Sequence, residues 1–313
     1  MSSEAFSLQS SLMLWALAAL IVCLGAHVML GWMRQAQEEW EWDFGRLRQV
    51  AVSGATFGTA LSVAIPLGLG GEALSYPIGY QPAWAAGLWL GAMVLITLLA
   101  VVPVWREESA SATGAGILLG LLITALQVGW VLAVGFRPGV QWNVAFVGAG
   151  ALISAAGTGT AMAMAFPYGA RARSYRYSWR IAAAGLMGLS FLACFSLVLF
   201  AADLPSQIGS VYRYELPGGM LSLFGGALVP IVLALMAMDL ETRRRQRRRQ
   251  WRSRRRGEWG PSYGSSESAS STMDIEPSRF LMQSPGRGGV PTARPAAPVA
   301  PASAAPTAED GTH

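Results

Sequence analysis

Seven stretches of the chain are almost wholly apolar, at about residues 11–33, 49–69, 83–104, 114–135, 141–166, 179–202 and 217–240. As helices rising 1.5 Å per residue, each is long enough to cross a hydrocarbon layer of about 30 Å. A β-barrel would need short segments of alternating polarity, and the runs show none. In lipid, backbone N–H and C=O groups must be satisfied within the element, so the runs are expected to be helices. The pattern predicts an all-α polytopic membrane protein with seven transmembrane helices. None of the runs carries Asp, Glu, Arg or Lys near its middle.

Small residues subdivide the pattern. Gly116 and Gly120 open the fourth run, and Gln127 follows eleven residues after Gly116. Residues four apart share a helix face, so the two glycines offer a place where another backbone can come close. The same frame begins 62 residues earlier at Gly54 and Gly58, with Ile65 in the place of Gln127. It recurs 68 residues after Gly116 at Ala184 and Gly188, with Phe195 in that place. A second apolar run follows each copy, so the helices after the first read as a helix pair repeated three times. Gly54, Gly58, Gly116, Gly120 and Gly188 are the expected packing positions. Gly148, Gly150, Ala155, Gly157 and Gly159 mark the fifth run as another close-packing helix. Pro66, Pro103 and Pro230 fall inside spans or at their ends, where neighbouring helices tolerate them.

Polar residues then orient the runs. The first, third and fifth loops hold eight arginines: Arg34, Arg46, Arg48, Arg106, Arg171, Arg173, Arg176 and Arg180. The second, fourth and sixth hold two, Arg137 and Arg213. The positive-inside rule places the first set in the cytoplasm, with the N-terminus outside and the C-terminus inside, as suits a cell-membrane protein. Trp32, Trp40, Trp42, Trp84, Trp105, Trp142 and Trp179 sit near run ends, where interfacial aromatics are expected. The resulting division is a short extracytoplasmic N-terminus at 1–10, a membrane domain at 11–242, a polybasic segment at 243–256 and a disordered cytoplasmic tail at 257–313.

Composition sharpens this reading. The chain has 313 residues, 53% hydrophobic and 13% charged, against about 25% charged in a soluble domain. The net charge of +5 is local, because ten of the 23 basic residues lie between Arg243 and Arg256. These are Arg243, Arg244, Arg245, Arg247, Arg248, Arg249, Arg252, Arg254, Arg255 and Arg256, and they extend the seventh helix into the cytoplasm. Such a run stops translocation and is suited to contact anionic lipid. It has one tryptophan and no surrounding fold, so nucleic acid is not an expected partner. The tail is rich in Ser, Pro, Ala and Gly and cannot build a core. Its apolar interruption, residues 275–282, is a candidate docking motif for a protein partner. Residues 1–10 contain no Lys or Arg, so the first run is expected to be a retained helix and not a signal peptide.

Candidate chemistry is sparse. Cys23 and Cys194 both fall in apolar runs, where cysteine acts as a small hydrophobe. His27 follows Cys23 by four residues, on the same helix face. With Met187, Met162 or Met164 these two would form a remnant metal site; the plainer reading is a histidine hydrogen-bonded between helices. Gln127 likewise suits a polar bridge between helices. The other histidine, His313, ends the tail. The sequence contains no zinc-protease, serine-hydrolase, P-loop or dinucleotide motif, and no catalytic residues are expected.

The repeat resembles the MHYT family, a seven-helix bacterial sensor domain named for a Met-His-Tyr-Thr motif. That motif follows a small-xxx-Gly opening in the second, fourth and sixth helices. Here its place is taken by Ala64-Ile65-Pro66-Leu67, Leu126-Gln127-Val128-Gly129 and Cys194-Phe195-Ser196-Leu197. Tyr80-Gln81-Pro82 and Tyr214-Glu215-Leu216-Pro217 are similar to the family's approach to the following helix. The resemblance covers about residues 10–245 and implies a sensor that binds copper through repeated His and Met. All three histidine positions differ here, to Ile65, Gln127 and Phe195, so no cofactor is expected. Nor does the tail have the make-up of a cyclic di-GMP synthase or phosphodiesterase output domain. The reading is therefore a non-enzymatic membrane sensor or signalling protein with a degenerate metal motif. The alternatives are a scaffold or accessory subunit acting through the tail, and a small-molecule transporter.

Overall fold

A computed structural model describes residues 2–38, 44–71, 78–106, 108–137, 139–167, 177–203, 209–212 and 215–258. The described residues form seven helices: α1 (Ser2–Glu38), α2 (Phe44–Gly71), α3 (Pro82–Trp105), α4 (Ser109–Ala133), α5 (Val144–Ala165), α6 (Tyr177–Ala201) and α7 (Gly218–Glu258). Each contains a stretch long and apolar enough to cross a membrane. The helices outrun the apolar runs at both chain ends. Backbone hydrogen bonding does not stop where hydropathy does, so residues 2–10 and 244–258 stay helical. The division placed at residues 242 and 243 is a change of composition inside one helix. Pro66, Pro103 and Pro230 all lie within helices.

Helices α1 to α6 pack in a closed cyclic order, each on the next and α6 back on α1, while α7 lies against α1 and α2. The even helices are the inner ones. Buried positions make up 72%, 56% and 50% of the spans of α2, α4 and α6, against 22%, 33% and 12% for α3, α5 and α7. Apolarity does not distinguish the two sets, because lipid and protein interior are both apolar. Small residues do. A Cβ on Gly116 would stand 2.6 Å from the Thr158 carbonyl oxygen, and one on Gly120 would meet Ser154 and Ala155, both on α5. On α2, Gly54 is closed by Thr97 and Gly58 by the backbone of Met93, both on α3. The third copy turns the other way, since Gly188 of α6 is filled by Cys23 of α1. On α5, Gly157 meets Ser190 and Gly159 meets Ile117, but Gly148 faces open space and is not a packing position.

One end of the bundle is closed by arginine. Helix C-termini leave carbonyls without intrahelical donors. Arg46 Nη2 donates to Val104 O at 2.7 Å and Gln37 Nε2 to Pro103 O at 2.8 Å, at the end of α3. Arg34 Nη1 donates to Ala165 O, the end of α5, at 3.3 Å. Trp84, Trp105 and Trp179 are exposed near helix ends, as interfacial anchors would be. Trp32 is not: it is buried, with the Arg243 guanidinium 5.7 Å from its ring centre. Trp40 and Trp42 lie outside the described residues.

The other end is stitched by three two-residue ladders that the hydropathy pattern did not announce. Gly79–Tyr80 (β1) pairs with Leu216–Pro217 (β6), Phe136–Arg137 (β2) with Gly209–Ser210 (β5), and Gln141–Trp142 (β3) with Ala202–Asp203 (β4), all antiparallel. The sixth loop is thereby sewn to the second and fourth. Ser210 is the knot: its hydroxyl lies 2.8 Å from Val134 O and 3.0 Å from Gly79 O, and it accepts from Gly79 N at 3.3 Å. Helix α4 ends in a left-handed glycine, Gly135 (φ 63), whose N–H bonds to Leu132 O and which lies under the Tyr212 ring. Tyr80 packs edge-on against Trp130, and burial pushes its phenol above the ordinary value, keeping it protonated.

Candidate functional site

The three repeat positions Ile65, Gln127 and Phe195 are all fully buried, on α2, α4 and α6. Ile65 and Phe195 belong to one continuous apolar core. Phe195 fills the space left open at Gly68, where a Cβ would stand 2.6 Å from its ring. It stacks on Phe191, ring centres 5.9 Å apart and nearly parallel, and meets Trp15 of α1 at 5.3 Å. This is aromatic packing of the kind that stabilises a core.

Gln127 does something different. Its Nε2 donates to Phe191 O at 3.3 Å, and its Oε1 accepts the Cys194 thiol proton at 3.0 Å. It therefore bridges α4 to α6 through both ends of its amide. Thr124 Oγ1, one turn before it, lies 3.3 Å from the same sulfur and also donates to Gly120 O. Ser154 of α5 stands beside the thiol as well. Thr158, one turn further along α5, donates to Gly116 O at 2.6 Å, a bond that the close approach at Gly116 allows. The result is a small polar node at the junction of α4, α5 and α6. Sequence reasoning reached Gln127 but not its partners. Cys194, Thr124 and Ser154 are each unremarkable in an apolar run, and only the fold brings them together. The hydroxyls of Ser154 and Thr158, four apart on a helix that Gly116 and Gly120 approach, were the available signal.

His27 is also engaged. Its Nε2 lies 2.9 Å from Nη2 of Arg180, the buried arginine near the start of α6. A guanidinium has only donors, so Nε2 accepts and the ring proton sits on Nδ1. Gly31 makes room for the contact: a Cβ there would be 3.1 Å from Arg180 Nη1 and 3.0 Å from Leu240 Cδ1 of α7. Cys23 points at Gly188. Met187 and Met162 are buried in the core, and Met164 packs at its edge. Both cysteines are free thiols.

The donors at the repeat positions do not fit copper. Ile65 and Phe195 offer no lone pair, and the one amide oxygen, already holding a thiol proton, is a hard donor ill-matched to Cu(I). Among the described residues, no three His, Cys, Asp or Glu side chains lie close enough to share a metal ion. The polybasic run begins in ordinary surface pairs: Arg243 with Asp239 at 2.8 Å and Arg245 with Glu241 at 3.6 Å. Its remaining arginines, 244, 247–249, 252 and 254–256, continue the helix, with side chains outside the described residues. Also outside are Tyr214, the segment 275–282 and the tail from 259 to 313 with His313.

Comparison with protein-family models, curated proteins and solved structures finds no match to this chain. Its class rests on the helices: it is an integral membrane protein of seven membrane-spanning helices, six in cyclic order and a seventh laid against α1 and α2.

Proposed function

We propose that this chain is a non-enzymatic membrane signalling module, similar in frame to the MHYT sensors, in which the motif positions have passed from metal ligation to packing. The observation that carries this reading is α7. It starts at the stitched loops, where Gly218 N bonds to Ile78 O at 2.8 Å next to the β1–β6 ladder. It then runs unbroken for 41 residues into the arginine run. Its apolar stretch is the least buried of the seven, so it can shift against α1 and α2 at small cost in packing. A change at the loop end is thus passed along one helix, in which Pro230 removes a backbone hydrogen bond and supplies a point of bending.

The helix ends in a run of charge: Arg243 lies over the Trp32 ring and pairs with Asp239, and Arg245 pairs with Glu241. Arg34, Arg46 and Arg180 are spent on helix ends and on His27. The run 243–256 sets ten arginines against Asp239 and Glu241. Anionic headgroups at the cytoplasmic leaflet of the cell membrane are the partner of matching charge and position, with a gain of roughly 1 kcal/mol per basic residue near the surface.

The test is a nitroxide at Ser253→Cys in a Cys23→Ala background of the full chain, reconstituted in nanodiscs. Label mobility should fall when anionic lipid is added and should change again when Ser210→Ala loosens the loop end. A label indifferent to both would end the transmission reading.

A further inference from the structure

The end of α7 that leads into the arginine run carries an acidic side chain held in two unequal ways. Glu241 Oε1 lies 3.6 Å from Nε of Arg245, one turn further along the same helix. Its other carboxylate oxygen, Oε2, is buried and has no hydrogen-bond partner. The Arg245 side chain is 74% exposed, and an exposed pair of this length contributes little. A buried acceptor left unbonded is costly, the more so when charged. Glu241 is therefore weakly held on its solvent side and unsatisfied on the side of the bundle.

Arg180 of α6 lies on that side. Leu240, next to Glu241, and Arg180 reach the same spot on α1: a Cβ on Gly31 would stand 3.0 Å from Leu240 Cδ1 and 3.1 Å from Arg180 Nη1. The faces of α7 agree with this. Met236 meets Thr56 of α2, and Asp239 and Arg243 share that side of the helix. Glu241 falls on the opposite side of Leu240. Its charge acts on the His27 ring, to which Arg180 Nη2 donates at 2.9 Å. A guanidinium presents five N–H groups in a fork, so it can hold an imidazole and a carboxylate together.

We propose that Glu241 exchanges partners under the control of anionic lipid. Headgroups that draw Arg245 to the membrane surface release Glu241, which then pairs with Arg180 and fastens α7 to α6. The exchange rests on the signalling reading above and supplies its regulation. It also has a direction. An anionic surface attracts an arginine more strongly than an exposed carboxylate one turn away does. The released carboxylate then meets a guanidinium already fixed by α1, and a bond between two charged groups is roughly twice as strong as a neutral one. This accounts for an acidic residue beside a run of ten arginines with one oxygen buried and unbonded.

The chain has no lysine, so Arg180→Lys places a single side-chain amine near the start of α6. A carbodiimide joins an amine to a carboxylate only on direct contact. Full-length Arg180→Lys protein is treated in nanodiscs of phosphatidylcholine alone and of phosphatidylcholine with phosphatidylglycerol. Mass spectrometry then measures the peptide that links positions 180 and 241. Its yield should rise about fivefold with the anionic lipid, the factor for one arginine drawn to such a surface. Adding Arg245→Gln should give the high yield in phosphatidylcholine alone. If Arg180→Lys fails to fold by circular dichroism, a nitroxide pair at Ser178→Cys and Gln246→Cys in the Cys23→Ala background reads the same approach. Their separation should shorten with phosphatidylglycerol, and Glu241→Gln should abolish the shortening. Equal yields or separations in the two lipids, beside a label at Ser253→Cys that does respond to phosphatidylglycerol, would overturn the exchange and leave the signalling reading standing. A low yield with Arg245→Gln would overturn it as well. If the Ser253→Cys label is indifferent too, both readings fall.

Discussion

At the scale of single residues, hydrogen in place of a side chain does more here than most side chains do. Gly120 lets α4 lie against the backbone of Ser154 and Ala155, and Gly116 does the same one turn earlier at Thr158 and Gly159. In lipid there is no hydrophobic drive between helices, so the contact depends on close van der Waals packing and on bonds such as Thr158 to Gly116 O. Gly120→Leu should therefore lower stability by roughly 1–3 kcal/mol, the range for overpacking, with the upper end favoured because backbone must move. Leu121, next to it, is 44% exposed on the lipid side, and Leu121→Ile should change little. Thermal unfolding in detergent measures both. Equal effects would mean that the Gly116–Gly120 face is not what holds α4 to α5.

At the scale of elements, the seven spans were legible in the sequence because a membrane helix has to be apolar along its whole length. Which of them are inner was half legible. The small-residue frame marks α2, α4 and α6, but uniform apolarity hides which neighbour each glycine meets, so Gly188 turning to α1 could not be read. The loop ladders were not legible at all: two-residue strands such as Gly79–Tyr80 have no room for an alternating pattern. Tyr80-Gln81-Pro82 and Tyr214-Glu215-Leu216-Pro217 are each similar to the family's approach to the following helix, and the fold pairs Tyr80 with Leu216 and Gly79 with Pro217. The node failed for another reason. Gln127 and Cys194 are 67 residues apart, and a lone cysteine in an apolar run looks like filler. Ser210 tests how much the ladders matter, since its hydroxyl serves the second, fourth and sixth loops together. Ser210→Ala leaves Gly79 and Val134 carbonyls short of a buried donor, at a cost of about 1–3 kcal/mol. Amide exchange should quicken at Gly79 and Ser210 while the interior of α4 keeps its protection. Unchanged exchange at Gly79 would show that the ladders hold without the knot.

At the scale of the whole molecule, the two ends of the bundle are built from different chemistry. One end joins its loops by backbone ladders and a serine. The other spends arginines from α1 and α2 on the carbonyl ends of α3 and α5, and holds Arg180 against His27. The arginines that bias insertion are therefore also C-terminal caps. Placing their end in the cytoplasm satisfies the positive-inside rule, while the caps themselves form in either orientation. The arginine run of α7 leaves from the same end, because seven spans put the N-terminus and the helix exit on opposite sides. A reporter at residue 2 should read outside, and one after Arg256 should read cytoplasmic. The caps add a sharper expectation. Arg46→Gln keeps a donor for Val104 O but removes the charge, so orientation should hold through the remaining arginines while detergent stability falls. The loss should lie toward the lower end of the roughly 1–3 kcal/mol of a buried hydrogen bond, and Arg46→Met, which supplies no donor, should lose more. Reporters on the same side would contradict seven spans, and equal losses in the two Arg46 variants would contradict the capping role.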